Sequence, residues 1–131
     1  LDEKTLMKEI IEDLVARKNG KPVNRVEYAN TLYQELDDPD KAIDILEEMR
    51  SEFLQIESIL SIKGFDKNFI SRRRWNQWQK AYPEVVNSLV YIYRKNDRNF
   101  DAEIVLSDWV LRNPKDTNAQ EILEQIRSGK K

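Results

Sequence analysis

The chain contains no histidine and no cysteine in its 131 residues. These two absences exclude a Cys/His zinc site, a cysteine nucleophile, a histidine general base and a disulfide. Without thiols the sequence also gives no sign of its redox compartment, because cytosol and periplasm would tolerate it equally. Glycine and proline are scarce, with 3 and 4 copies, and no segment is low in complexity, so order is expected everywhere except at the two ends. Long hydrophobic runs are missing as well. Val85-Val86 and Leu89 to Tyr93 are separated by Asn87 and Ser88, and neither approaches the roughly 20 apolar residues needed to cross a bilayer. No secretory signal is visible, and the opening Leu1-Asp2-Glu3 lacks an initiator Met. The chain therefore reads as an excised piece or a mature form of a larger protein that does not itself insert into a membrane.

Hydrophobic side chains make up 40% and charged ones 35% of the chain, a balance that suits one compact domain over residues 1–131. The net charge of −2 hides an uneven distribution. Residues 1–59 carry 15 acids and 8 bases, residues 60–82 carry 1 and 6, and the remainder 8 and 8. The front is acidic and the middle is basic.

Helical periodicity runs through the whole chain. From Thr5 to Lys18, the residues Leu6, Met7, Ile10, Ile11, Leu14 and Val15 form one apolar stripe, ended by Asn19-Gly20-Lys21-Pro22. Asn24 with Glu27 has the spacing of a capping box, and Val23 with Tyr28 that of a hydrophobic staple, which predicts a helix from Asn24 to about Leu36. Asp37-Asp38-Pro39-Asp40 lacks the glycine and distal glutamate of a calcium loop. It reads instead as a helix start, with Asp38 as N-cap and Pro39 as first helical residue. Ala42, Ile43, Leu46, Met49, Phe53, Ile56 and Leu60 then hold one side for about six turns, with Gly64 as the stop. A further helix is expected between Asp66 and Ala81, broken at Tyr82-Pro83 because proline disfavours helical geometry in the residue before it. Helices from Pro83, across Ala102 to Pro114, and from Thr117 to Ile126 complete the series, the last starting from a Thr117/Gln120 capping box.

The segment 83–116 resembles a tetratricopeptide repeat. In the 34-residue pattern of that family, Val86, Leu89, Val90 and Tyr93 fall on the signature positions of the first helix, and Ala102, Leu106, Trp109 and Pro114 on those of the second. Val90 and Trp109 are larger than the family's usual residues at their positions. A less complete copy covers residues 23–56, with Val26, Ala29 and Tyr33 followed by Ala42, Leu46 and Met49. Ala42 and Ala102 are 60 residues apart, so no regular 34-residue array connects them. The resemblance implies an all-α fold, an irregular TPR-like solenoid of helical hairpins with about six to seven helices. It also implies a ligand groove contacted by first-helix residues: Glu84, Asn87, Tyr91 and Arg94 in one repeat, and Asn24, Glu27, Thr31 and Gln34 in the other. The chain is also similar to the soluble C-terminal tails of some large bacterial membrane proteins, including multi-spanning ones related to glycosyltransferases. That similarity implies a module attached to a membrane protein, on either its cytoplasmic or its periplasmic side.

The rival site is the basic-aromatic stretch 63–80, where Arg72, Arg73, Arg74, Trp75 and Trp78 combine cations and rings as nucleic-acid-binding surfaces do. The acidic balance of the whole chain argues against it. So does the shared helical face of Trp75 and Trp78, which suits a core, with the arginines paired to the acidic front half. Acidic pairs one turn apart, Glu9 with Asp13 and Asp44 with Glu48, have no nucleophile or glycine loop beside them and read as solvated surface. The resulting expectation is a non-catalytic module with no cofactor and no metal. Its partner is a protein, a peptide or another domain of the parent chain, with Tyr91 as the main anchor.

Overall fold

The computed structural model describes residues 21–64 and 66–129, and the predicted Thr5–Lys18 helix lies outside them. Five α-helices follow in order: α1 Pro22–Gln34, α2 Pro39–Leu60, α3 Arg72–Lys95, α4 Asn99–Arg112 and α5 Thr117–Arg127. A single 3-10 turn, Lys67–Phe69, lies between α2 and α3, and no strand occurs among the described residues. The fold is all-α, with five helices described where six to seven were expected. By its contacts the chain falls into two compact units, one up to Val85 and one from Val86 onward.

One difference from the expected count lies at Pro83. Instead of separating two helices, it stands inside the 24-residue helix α3. An internal proline costs about 3 kcal/mol through a lost hydrogen bond and a steric clash. Around it, Trp78, Ala81, Tyr82, Val85, Val86 and Leu89 are all buried and keep one unbroken helical phase. Each large apolar side chain removed from water returns about 1.5–3 kcal/mol, so the stripe outweighs the break. Tyr82, the residue that proline biases away from helix, has its ring stacked on Phe53 at 3.9 Å between centroids. The helix begins late because residues 66–71 form the 3-10 turn and a cap: Asp66 accepts from the Asn68 N–H, and the Ser71 hydroxyl from the Arg74 N–H.

In the first unit α1 and α2 pack against each other across the turn 35–38, where Asp37 takes a left-handed φ of 51°. The α1 start is shifted from the expected Asn24. Pro22 occupies the first turn, Lys21 is the N-cap without a side-chain bond, and Val23 is exposed, so neither the capping box nor the staple forms. Proline fixes the φ that a first helical residue needs, which starts the helix upstream of the polar cap. At α2 the reading from sequence agrees with the structure: Asp38 accepts from the Lys41 N–H at 3.2 Å and Pro39 opens the helix. Buried Ala29, Leu32, Ala42, Leu46 and Met49 form the floor of this unit's core.

Three rings join α2 to α3. Phe53 stacks on Tyr82 as above and on Trp75 at 5.2 Å, with interplanar angles of 13° and 14°. Trp75 and Tyr82 are two turns apart on α3, about 10 Å of rise, so the Phe53 ring lodges between them. Beside this clamp, Arg25 of α1 donates to Glu52 at 2.6 Å, lies 3.8 Å from Glu48 and has its guanidinium 5.8 Å from the Trp78 ring.

In the second unit α3 ends in a Schellman turn. Arg98 N–H reaches the Tyr93 carbonyl at 2.8 Å, and Asp97 sits at φ 58°. The Arg98 guanidinium lies 4.8 Å from the Tyr93 ring. Helices α4 and α5 pack together around buried Ala102, Val105, Leu106, Ala119, Leu123 and Ile126. The α5 cap is Asp116, one residue before the expected Thr117. One carboxylate oxygen accepts from the Ala119 N–H at 3.0 Å, and the other accepts from the Trp109 indole N–H at 2.9 Å. Gln120 bonds instead to the Pro114 carbonyl. The Asp116 carboxyl titrates below its ordinary value, first because of the Trp109 bond and then the Ala119 N–H, with desolvation opposing both.

Replacing Phe53 with Ala is expected to lower stability by about 3–5 kcal/mol, read as a shift of the urea midpoint. Pro83→Ala should raise stability by about 1–3 kcal/mol, because it restores a main-chain donor within a continuous helix; a loss would contradict that continuity. Asp116→Ala should cost about 1 kcal/mol at neutral pH. Since the folded carboxyl is the stronger acid, its contribution is complete above about pH 4 and fades as pH falls through the lowered folded value. An Asp116→Asn chain should lack that part of the acid dependence in pH-resolved denaturation.

Candidate functional site

A cleft of about 540 Å³ opens in the first unit, between α1 and the leading half of α3. Its α1 wall carries Val23, Val26, Glu27 and Asn30, with Lys21 at the helix start. These residues recur at the three- and four-residue spacing that brings one helix face together. The α3 wall carries Gln77, Lys80, Ala81 and Glu84 at the same spacing. Buried Val26 and Ala81 give an apolar floor, and exposed Glu27, Lys80 and Glu84 form a charged rim. The aromatic clamp and Arg25 lie on the elements that hold these walls, so side chains on the opposite face set the positions of the cleft residues.

Of the residues singled out from sequence, Glu27 and Glu84 line this cleft together. Thr31 is half-buried on α1 and is not among the lining residues; its carbonyl accepts from the Glu35 and Leu36 N–H groups at the helix end. Asn87, Tyr91 and Arg94 belong to the second unit, where their spacing sets them on one face of α3. Tyr91 is 52% exposed, whereas Tyr93 is buried, the division expected for one surface and one core tyrosine. Lys95 stands 5.6 Å from the Tyr91 ring.

The rival cluster is divided by the fold. Trp78 is buried and Trp75 is half-buried against Phe53, so neither indole is placed to stack on a base. Arg72 and Arg73 are exposed and Arg74 is half-buried. None of the three forms an ion pair with a described residue, contrary to the expected pairing with the front half. They leave a cationic surface without its aromatic partners.

Lys21, Val23, Val26, Asn30, Gln77, Lys80 and Ala81 were not expected in the cleft. Their signal was the common phase of residues 77, 80 and 84 on one helix and of 23, 26, 27 and 30 on another. Only the uninterrupted α3 brings Gln77 and Lys80 into register with Glu84. A second surface also went unanticipated: Phe100, Ile104 and Leu111 are exposed on α4 at positions that share one helical face.

Among the described residues no three carboxylates gather as a metal site, and no helix is long and apolar enough to cross a membrane. No protein-family model, curated protein or solved structure matches the chain.

Titration with a single-stranded oligonucleotide at low salt is expected to give no binding that depends on Trp75. Trp75→Ala should instead lower the unfolding midpoint, because it removes a ring from the Phe53 stack. Tight binding lost in an Arg72, Arg73 and Arg74 triple Ala variant, with stability unchanged, would restore the nucleic-acid reading.

Proposed function

We propose that the chain is a non-catalytic, TPR-like protein-interaction module that takes a peptide segment, from a partner or from its own parent chain, in the α1–α3 cleft. The observation that carries this reading is the convergence of Glu27 and Glu84, from two separate helices, above the apolar floor of Val26 and Ala81. Recesses of this size with an apolar base and a few directed polar groups are the usual form of a binding site. Asn30 and Gln77 add side-chain amides that can both donate to and accept from a peptide backbone.

The TPR-like reading is supported by the packed pair α1–α2, which spans the copy over residues 23–56, and by burial of the small signature residues Ala29, Ala42 and Ala102. Asn87, Tyr91 and Arg94 offer a second contact face, with Tyr91 the side chain whose truncation costs most, as aromatic residues dominate interface energetics. Attachment to a bacterial membrane protein, as the resemblance to such tails implies, would make the partner a neighbouring domain or an associated chain.

Peptides selected from a random display library against the immobilised chain are expected to lose at least tenfold in affinity to a Glu27→Lys, Glu84→Lys variant. Tyr91→Ala should weaken those that bind the second face. If both variants bound every selected peptide as well as the parent chain does, neither face would be the site.

A further inference from the structure

Beside the cleft, along α3, a more open recess of about 830 Å³ has Arg72, Arg73, Asn76, Gln77, Gln79 and Lys80 as its described lining. Gln77 and Lys80 line both. The charges along this path are ordered. At one end Arg72 and Arg73 are exposed and in no ion pair with a described residue, while Arg25, Arg50, Arg98, Arg112 and Arg127 each have a carboxylate within 4 Å. The positive end of the α3 dipole strengthens the same sign there. Toward the other end of α3 stands the Glu84 carboxylate, with Glu27 on the facing α1 wall of the cleft, and neither is in an ion pair with a described residue. The apolar floor of Val26 and Ala81 lies in the cleft part of the path, with Lys21 and Lys80 on its rim.

We propose that the occupant is a charge-segregated extended peptide: acidic residues at the end over Arg72 and Arg73, an apolar residue on the Val26–Ala81 floor, and a basic residue at the end facing Glu27 and Glu84. This rests on the peptide-binding reading above and adds the chemistry of the ligand. The spacing follows from the helix. Arg73 and Glu84 are eleven residues apart, about 16 Å of rise, which an extended chain covers in about five residues. At physiological salt the screening length is about 8 Å, so a charge at one end of the ligand scarcely feels the far end of the path. The Arg72 and Arg73 end therefore selects acid, while in the cleft Glu27 and Glu84 favour a base against the opposing charges of Lys21 and Lys80. A uniformly acidic strand would meet the two glutamates, and a uniformly basic one the arginines.

The test uses labelled decapeptides of identical composition in fluorescence anisotropy. One has two Asp and two Lys segregated about five residues apart around a central Leu, and one has the same charges interleaved; an uncharged Leu peptide and oligo-dT serve as controls. The segregated peptide is expected to bind at least tenfold tighter than the interleaved one. Arg72→Glu with Arg73→Glu, both on exposed positions, should abolish that preference while circular dichroism stays unchanged. Equal binding of segregated and interleaved peptides overturns the charge-segregated ligand and leaves the cleft as a peptide site. Binding of none of the peptides at millimolar concentration overturns both, and tighter binding of oligo-dT returns the path to nucleic acid.

Discussion

Phe53 lodged between Trp75 and Tyr82 is the contact on which the first unit depends. Two near-parallel stacks, at 5.2 and 3.9 Å, fix α2 against α3 at a level that also brings Trp78 under the Arg25 guanidinium. Aromatic pairs of this kind contribute about 0.5–1.5 kcal/mol each beyond the area they bury. Their directional consequence is larger. With Trp75 and Tyr82 turned to α2, the residues on another face of α3, among them Gln77, Lys80 and Glu84, line the cleft with α1.

The same contact accounts for the proline. Taken locally, Tyr82-Pro83 is a helix boundary, because Pro83 crowds the helical conformation of Tyr82. Tyr82 is nevertheless held helical by a ring from a residue 29 positions earlier, and the apolar phase continues through Val85 and Leu89. Long-range packing overrides a local preference of a few kcal/mol whenever enough buried side chains share the same phase. That continuity makes the cationic first turns of α3 and the carboxylate of Glu84 parts of one rod.

Electrostatics divide the arginines into two groups with different consequences. Arg25 is largely covered and bound to Glu52 at 2.6 Å, so its charge helps hold α1 to α2 and contributes to architecture. Arg72 and Arg73 are exposed at a helix start, where the dipole disfavours cations, and their charge contributes little to the fold. Pairing on α1 and exposed like charge at the start of α3 thus give arginines of one chain different parts.

Much was legible in the residues themselves. The all-helical character, the Asp38-Pro39 start, the assignment of Tyr93 to the core and Tyr91 to the surface, and the burial of Trp78 all follow from 3.6-residue periodicity and capping chemistry, which act over a few residues. The α1 cap lies at Lys21, three residues before the expected Asn24, because Pro22 sets the first helical φ. The α5 cap lies at Asp116, one before Thr117, where an indole seven positions away also binds the carboxylate. Of the cleft residues the site reading included Glu27 and Glu84, while the register of Gln77 and Lys80 with Glu84 depends on α3 passing through Pro83 unbroken. The sequence by itself determined which residues could be helical and which helix faces are apolar. The tertiary structure decided where helices join and which polar faces meet, because those outcomes rest on contacts between residues far apart in the chain.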